Sequence, residues 1–380
     1  MSNLGQAPQR EHIVWLDVVR FVAVFMVVAC HCTDPFNAAS GYAGNEAYSF
    51  WGTIYGSLLR PCVPLFVMIT GVLLLPVRQE ASVFYKKRIS RVAIPFLIWS
   101  VLYNLFPWIV QLFGGTVELV NRFFPYAPDP SASFSSALHD IVMIPFNFSG
   151  YTVHLWYVYM LIGLDLYMPL FSAWVEKATE KAKLSFLLLW GVTLLIPYIQ
   201  HFLTANLWGT CSWNGFGMLY YFAGFNGYLL LGHYLSKGTN LSVVKTWMIA
   251  VPMFIAGYVI TATGFAEMKA LPNATESDYE LFFTYCSLNV VLMTVSVFMV
   301  LQKVRISSPA VCRLLANLTK CGFGIYLIHY FFVGVGYSVA LSLNVPVWLV
   351  IPVAAVVAFG IAWGVVSLLY RLPLAKWILG

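Results

Sequence analysis

The chain has 380 residues, of which 60% are hydrophobic, 17% aromatic and 9% charged, against about 25% charged in an ordinary soluble domain. With 21 basic and 15 acidic side chains it cannot cover the surface of a water-soluble globule of this size. Composition and a mean hydropathy of +0.79 therefore exclude a soluble fold and predict an all-α, polytopic membrane protein. At roughly 20 apolar residues per crossing, about ten helices use roughly 200 residues and leave only short loops. One transmembrane domain over 1–380, with no soluble C-terminal domain, is expected.

Apolar runs predict crossings near 13–33, 53–75, 92–113, 154–172, 184–203, 214–235, 245–265, 282–302, 321–342 and 345–369. The first reads as a retained helix and not a cleaved signal peptide. It is too long, carries Asp17 and Arg20, and has no small-residue cleavage site. Seventeen of the 21 Lys and Arg fall on alternate segments: Arg10, then 78–91, 177–183, 237–245, 303–320 and 371–376. The positive-inside bias makes that face cytoplasmic and predicts both termini there. Asp34, Glu46, Glu118, Asp129, Asp140, Glu267, Glu276, Asp278 and Glu280 fall on the opposite face. The net +6 is thus a difference between two faces and gives no reason to expect nucleic acid. The 114–153 loop, bearing Pro and Ser, is expected to pack over the bundle as a lid or binding surface.

An ionisable side chain in hydrocarbon needs a partner or a wet cavity, so each one is either a structural ion pair or a functional residue. Arg20 and His31 are eleven residues apart, about three helical turns and about 16 Å, so they share a stripe. Asp17 is placed to pair with Arg20 at i, i+3. Arg60 precedes Pro61 and Pro64, which open the backbone ladder where carbonyls line a cavity; it is suited to hold an oxyanion or substrate, or else to snorkel outward. The run Lys86-Lys87-Arg88-Ile-Ser-Arg91 suits anionic lipid, or a phosphate clamp at the cytoplasmic mouth, with Arg88 and Arg91 on one face. His154-Leu-Trp156-Tyr157 opens an antiparallel helix whose Asp165 again lies eleven residues on. His154 is thereby expected level with His31, and Asp165 level with Arg20, the two stripes facing one another across a polar channel. Tyr326 and His329 are three apart in the inner half of the ninth crossing.

Seven cysteines are scattered and read as small apolar residues of helix interfaces. Cys30-His31-Cys32 invites a metal, but consecutive helical side chains point about 100° apart, and no metal is expected. His12, His139, His201 and His233 read as loop or interface residues.

Six pieces occur in order: Leu16-Asp17-Val-Val-Arg20 with His31; Pro64 to Thr70-Gly71; Lys87-Arg88-Ile-Ser-Arg91 with Ile94-Pro95; His154-Leu-Trp156-Tyr157; Gly227-Tyr228 to Gly232; and Tyr326-Leu-Ile-His329. In these the chain resembles the acyltransferase 3 family of bacterial membrane acyltransferases, most of all the enterobacterial common antigen O-acetyltransferase type. The resemblance implies a ten-helix domain in the bacterial cytoplasmic (inner) membrane. It would carry an acetyl group from cytoplasmic acetyl-CoA, or another acyl-CoA, to a hydroxyl of an extracytoplasmic glycan or other envelope compound. By carry-over Arg20 and His31 are the essential pair, and Arg88 and Arg91 face acyl-CoA. Thr70 stands where Ser is usual, and no soluble esterase-like domain is expected after the last crossing.

Joined to the reading of the residues, this gives a catalytic set of His31, Arg20, Asp17 and Arg60. The acyl-CoA set is Lys87, Arg88, Arg91, Tyr326 and His329, and the acceptor set is His154, Trp156, Tyr157 and Asp165. Membrane lipid, acyl-CoA and the acceptor are the expected partners, and a homo-oligomer is compatible with the sequence. His31 acts either as general base or as a nucleophile that forms an acetyl-imidazole. The alternative is a secondary transporter or flippase of an envelope biosynthesis system, its ionisable residues relaying protons. The lack of an inverted repeat in the sequence counts against it.

Overall fold

The computed structural model describes residues 13–37, 45–124, 133–237 and 241–380. Arg10, His12 and Asp129 lie outside the described residues. Among those described, regular structure is helical apart from one isolated bridge between Cys211 and Asn214. Nine helical segments among the described residues are long and apolar enough to cross a bilayer: Val14–His31, Glu46–Leu74, Ala81–Leu112, Val153–Lys177, Glu180–Phe202, Val243–Lys269, Ser277–Gln302, Pro309–Ile328 and Val347–Leu369. The chain is an all-α polytopic membrane protein, as its composition predicts.

Two of the ten expected crossings take another form. The stretch 214–235 is α-helical only from Asn226, in the helix Asn226–Ser236, a length of about 16 Å or half the hydrocarbon thickness. Gly217 and Gly224 hold φ of +67° and +91°, a left-handed backbone that interrupts a helix and that hydropathy does not register. The stretch 321–342 belongs to two helices, Pro309–Ile328 and Tyr330–Ser342, meeting at His329. There the His329 side chain donates from Nδ1 to the Tyr326 carbonyl at 2.6 Å. In an unbroken helix that carbonyl would accept the N–H of Tyr330, so the side chain competes with the backbone and breaks the rod.

Val14–His31 is the central helix. It packs against Cys62–Leu74, Pro309–Ile328, Val347–Leu369 and Leu288–Gln302, and its Val19, Ala23 and Val27, four residues apart, are buried. Glu180–Phe202 and Val243–Lys269 lie at the periphery, where Leu188 and Met248 are exposed. Such a face suits lipid, which solvates Leu and Met as well as a protein core does.

The short helix Asn226–Ser236 is held by backbone contact. A Cβ on Gly71 would sit 2.0 Å from the Leu229 carbonyl oxygen, and one on Gly232 would sit 2.2 Å from that of Met68. Cys62–Leu74 and Asn226–Ser236 therefore meet through paired glycines, the small-residue mode of helix packing in membranes. Gly71→Leu and Gly232→Val should each lower the melting temperature of the detergent-solubilised protein, by an amount matching about 1–3 kcal/mol of overpacking. Gly191→Ala, whose added Cβ meets nothing within 4 Å, should not lower it. A thermal-shift measurement that ranks the three alike would remove the close-contact account.

Candidate functional site

Two adjoining cavities open at the basic end of the bundle. The first, of about 960 Å³, is lined by Asp17, Arg20, Arg78, Lys87 and Arg91 among others. The second, of about 730 Å³, is lined by Arg20, Thr70, Arg88, Arg91, Tyr157 and Tyr326 among others. Arg20, Leu73 and Arg91 belong to both, so the two form one basic vestibule.

A π-helical turn sets the direction of its arginines. Pro95 has no N–H to give to the Arg91 carbonyl, and its ring crowds that carbonyl. The helix widens over Ile89–Ala93, and the Ile94 N–H reaches back to the Ile89 carbonyl, five residues away. Turns of this kind recur at functional sites. Arg88, just before the turn, donates from Nε to Asp165 Oδ2 at 2.8 Å. This bond leaves Nη1 and Nη2 to meet an anion in the cavity that Arg88 lines. Asp165 is buried, and its Oδ1 has no hydrogen-bond partner among the described residues.

The structure thereby corrects one expectation. Asp165 faces Arg88 and not Arg20. Arg20 pairs with Asp17 at 3.3 Å, as the i, i+3 spacing predicts. Both line the vestibule, which separates them from His31 at the far end of their own helix. Lys87 also lines the vestibule, its Nζ donating to Gln79 Oε1 at 2.8 Å.

Beyond Tyr157 and Tyr326, whose rings lie 5.5 Å apart, three histidines converge. Ring centroids are 5.2 Å apart for His31 and His329, 5.4 Å for His154 and His329, and 6.2 Å for His31 and His154. The expected level of His154 with His31 is present. His154 sits on the tight turn Val153–Leu155, ahead of the helix Trp156–Lys177. His329, expected on the acyl-CoA side, instead joins the histidines, because the helix break turns it inward. Tyr326 spans the two zones: its ring lines the vestibule, its hydroxyl donates to the His154 carbonyl, and its carbonyl holds His329.

Each imidazole has one nitrogen assigned by its partner. His31 Nδ1 meets Asp34 Oδ2 at 2.9 Å; a carboxylate there fixes the Nδ1–H tautomer and leaves the Nε2 lone pair for chemistry. His329 Nδ1 donates to the Tyr326 carbonyl, and His154 Nε2 points at the Leu327 carbonyl at 3.5 Å. Nε2 of His329 and Nδ1 of His154 are buried without a hydrogen-bond partner among the described residues. Asp34 was read only as an outer-face charge, although its place three residues after His31 in the sequence already allowed the pair.

Arg60 stands apart from both zones. Its Nε donates to the Gly56 carbonyl at 3.1 Å, its Nη2 to Cys30 Sγ at 3.0 Å, and its guanidinium lies 4.1 Å from the centre of the Phe283 ring. Tyr285 lies on the same guanidinium, and Trp156 stacks on Tyr285 at 5.6 Å. Arg60 is buried and lines neither cavity. This cage ties four segments together, around Cys30, Arg60, Trp156 and Tyr285, and Trp156 too lines neither of the two cavities. Tyr157 lines the vestibule. Over the histidines, His154 stacks on Tyr330 at 4.7 Å, and Tyr330 meets Phe124 of the 114–153 segment at 5.8 Å. A Cβ on Gly334 would lie 1.8 Å from the Arg122 carbonyl oxygen, so the helix Val117–Phe123 packs tightly on Tyr330–Ser342.

A basic vestibule joined through two tyrosines to a carboxylate-oriented histidine is a layout suited to group transfer. A family model described as an acyltransferase domain, Acyl_transf_3, matches residues 13–367. Neither a curated protein nor a solved structure matches the chain. With the match covering nearly its whole length, the chain belongs to the acyltransferase 3 family and is a multi-pass membrane acyltransferase.

Proposed function

We propose that this enzyme moves an acetyl group from acetyl-CoA, bound at the cytoplasmic face, to a hydroxyl of an extracytoplasmic glycan. The bacterial inner membrane and the enterobacterial common antigen O-acetyltransferase type are the setting that the sequence resemblance supplies. The observation that carries the reading is the His31–Asp34 pair at 2.9 Å, at the far end of the helix whose Arg20 lines a vestibule together with Lys87, Arg88 and Arg91. The four cations fit the phosphates of a CoA thioester, with arginine as the planar, two-pronged partner. The pantetheine arm then passes Tyr157 and Tyr326 to bring the thioester to His31. In direct transfer His31 Nε2 takes the proton of the acceptor hydroxyl as it attacks the thioester carbonyl, and Asp34 stabilises the imidazolium that forms.

His31→Ala should abolish acetyl-CoA consumption by the purified protein supplied with alkali-treated, de-esterified envelope glycan. Asp34→Asn should lower kcat by about 10²-fold or more, the range of general-base catalysis, with KM for acetyl-CoA little changed. Consumption by His31→Ala equal to that of the wild type would sink this mechanism. Acetyl-His31 trapped by mass spectrometry in the absence of acceptor would replace direct transfer with the covalent route.

The vestibule gives a separate signature. Arg88→Gln and Arg91→Gln should each raise KM for acetyl-CoA about tenfold, as expected from losing one charge-assisted contact of about 1.5–3 kcal/mol. Asp165→Asn should shift KM in the same direction by releasing Arg88. The double variant with Arg88→Gln should be no worse than the Arg88 variant alone. Steady-state titration of acetyl-CoA checks this, and fully additive effects would dissociate Asp165 from donor binding.

A further inference from the structure

The reaction must dispose of a proton. The acceptor gives up its hydroxyl proton where the new C–O bond forms, and the C–S bond that breaks leaves a thiolate on the vestibule side. Proton release and proton demand therefore fall at opposite ends of the thioester. His31 stands at the first end. The residue between the two is His329. Its ring is fully buried and 5.2 Å from that of His31. Its Nδ1 is held by the carbonyl of Tyr326, the residue whose ring lines the vestibule. A carbonyl only accepts, so His329 is the Nδ1–H tautomer and its Nε2 carries a lone pair. That nitrogen is buried with no partner among the described residues. A buried polar atom left unpaired costs about 1–3 kcal/mol, and atoms kept that way concentrate where chemistry needs them. His154 also keeps an unpaired buried nitrogen among the described residues, Nδ1, but its ring lies farther from His31, 6.2 Å against 5.2 Å. His154 stacks flat on Tyr330, with its Nε2 turned to the Leu327 carbonyl.

Building on the acyl-transfer reading above, we infer that His329 is a second catalytic residue, the general acid that protonates the leaving thiolate. The proton path is balanced. The acceptor O–H proton goes to His31 Nε2 as the C–O bond forms. It then moves to His329 Nε2, directly or through one water. His329 delivers it to sulfur as the C–S bond breaks, giving the free thiol of CoA and an oxygen ester. Both histidines return to their starting tautomers, with no other reactant. The Tyr326 carbonyl stabilises the transient His329 imidazolium. The break between Pro309–Ile328 and Tyr330–Ser342 is the local structure that turns the ring toward this task.

Sensitivity to the leaving group separates this role from a structural one. Purified wild type and His329→Gln are each given acetyl-CoA and its oxygen-ester analogue, whose alkoxide leaving group depends far more on protonation. The acceptor is de-esterified envelope glycan. The variant should lose about 10²-fold with the thioester, and its thioester-to-oxygen-ester rate ratio should rise at least about tenfold above that of the wild type. An unchanged ratio overturns the inference, since a packing defect slows both donors alike. If His329→Gln does not yield folded protein, the wild type decides through its rate in mixtures of light and heavy water. A curved dependence on deuterium fraction supports two protons in transit, and a straight line overturns the relay. Failure of the underlying function looks different: wild type that releases no CoA from acetyl-CoA removes both readings, whereas normal turnover with an unchanged ratio removes only this one.

Discussion

A charge inside hydrocarbon must be paired, and the Arg88–Asp165 bond at 2.8 Å is where this chain meets that demand in its working region. Asp165 comes from the middle of Trp156–Lys177 and Arg88 from the edge of the π-helical turn, so one contact fixes two elements relative to each other. Because the bond uses Nε, it also sets the direction in which the rest of the guanidinium points. A buried pair of this kind is weak as a source of stability, since desolvation offsets most of the attraction. Its value here is geometric. It keeps a cation at the vestibule wall at a depth where an unpaired arginine would snorkel away.

Helical periodicity was a good guide to depth and a poor guide to azimuth. Eleven-residue spacings placed His31 beside His154, and the rings are neighbours. The same arithmetic set Asp165 opposite Arg20, and there it failed. Spacing along a helix fixes which residues share a face, but not which face of the next helix that face meets. The π turn at Ile89–Ala93 then shifts the phase of everything after Arg88. Pro95 was the visible cause of that shift. His329 escaped for a related reason, since its own side chain breaks the helix that periodicity assumes to be continuous.

Hydropathy likewise located apolar mass without describing its conformation. Gly217 and Gly224 stop the sixth helix short, while Gly71 and Gly232 hold what remains of it against Cys62–Leu74. Gly71 and Gly232, from two of the six family-like pieces, thus carry packing, while Thr70 beside Gly71 lines the vestibule. Arg60 makes the complementary point. A buried arginine beside two prolines reads as an anion site, yet its guanidinium rests against Phe283 and Tyr285. Those rings come from a segment more than two hundred residues later, which no local pattern could bring to it.

The site that results is polar in an asymmetric way. The vestibule is rich in donors, the N–H groups of arginine and lysine, as a phosphate-bearing ligand requires. The histidine cluster has the opposite lack. Its ring protons are directed to Asp34, the Leu327 carbonyl and the Tyr326 carbonyl, so its remaining nitrogens present lone pairs to a buried space. A group that brings O–H donors relieves that shortage, and one without them leaves it in place. Discrimination by unpaired buried groups is far steeper than discrimination by apolar fit. On the proposed reading, the same arrangement that would prepare His31 to take a proton would also select for a molecule with a hydroxyl to give.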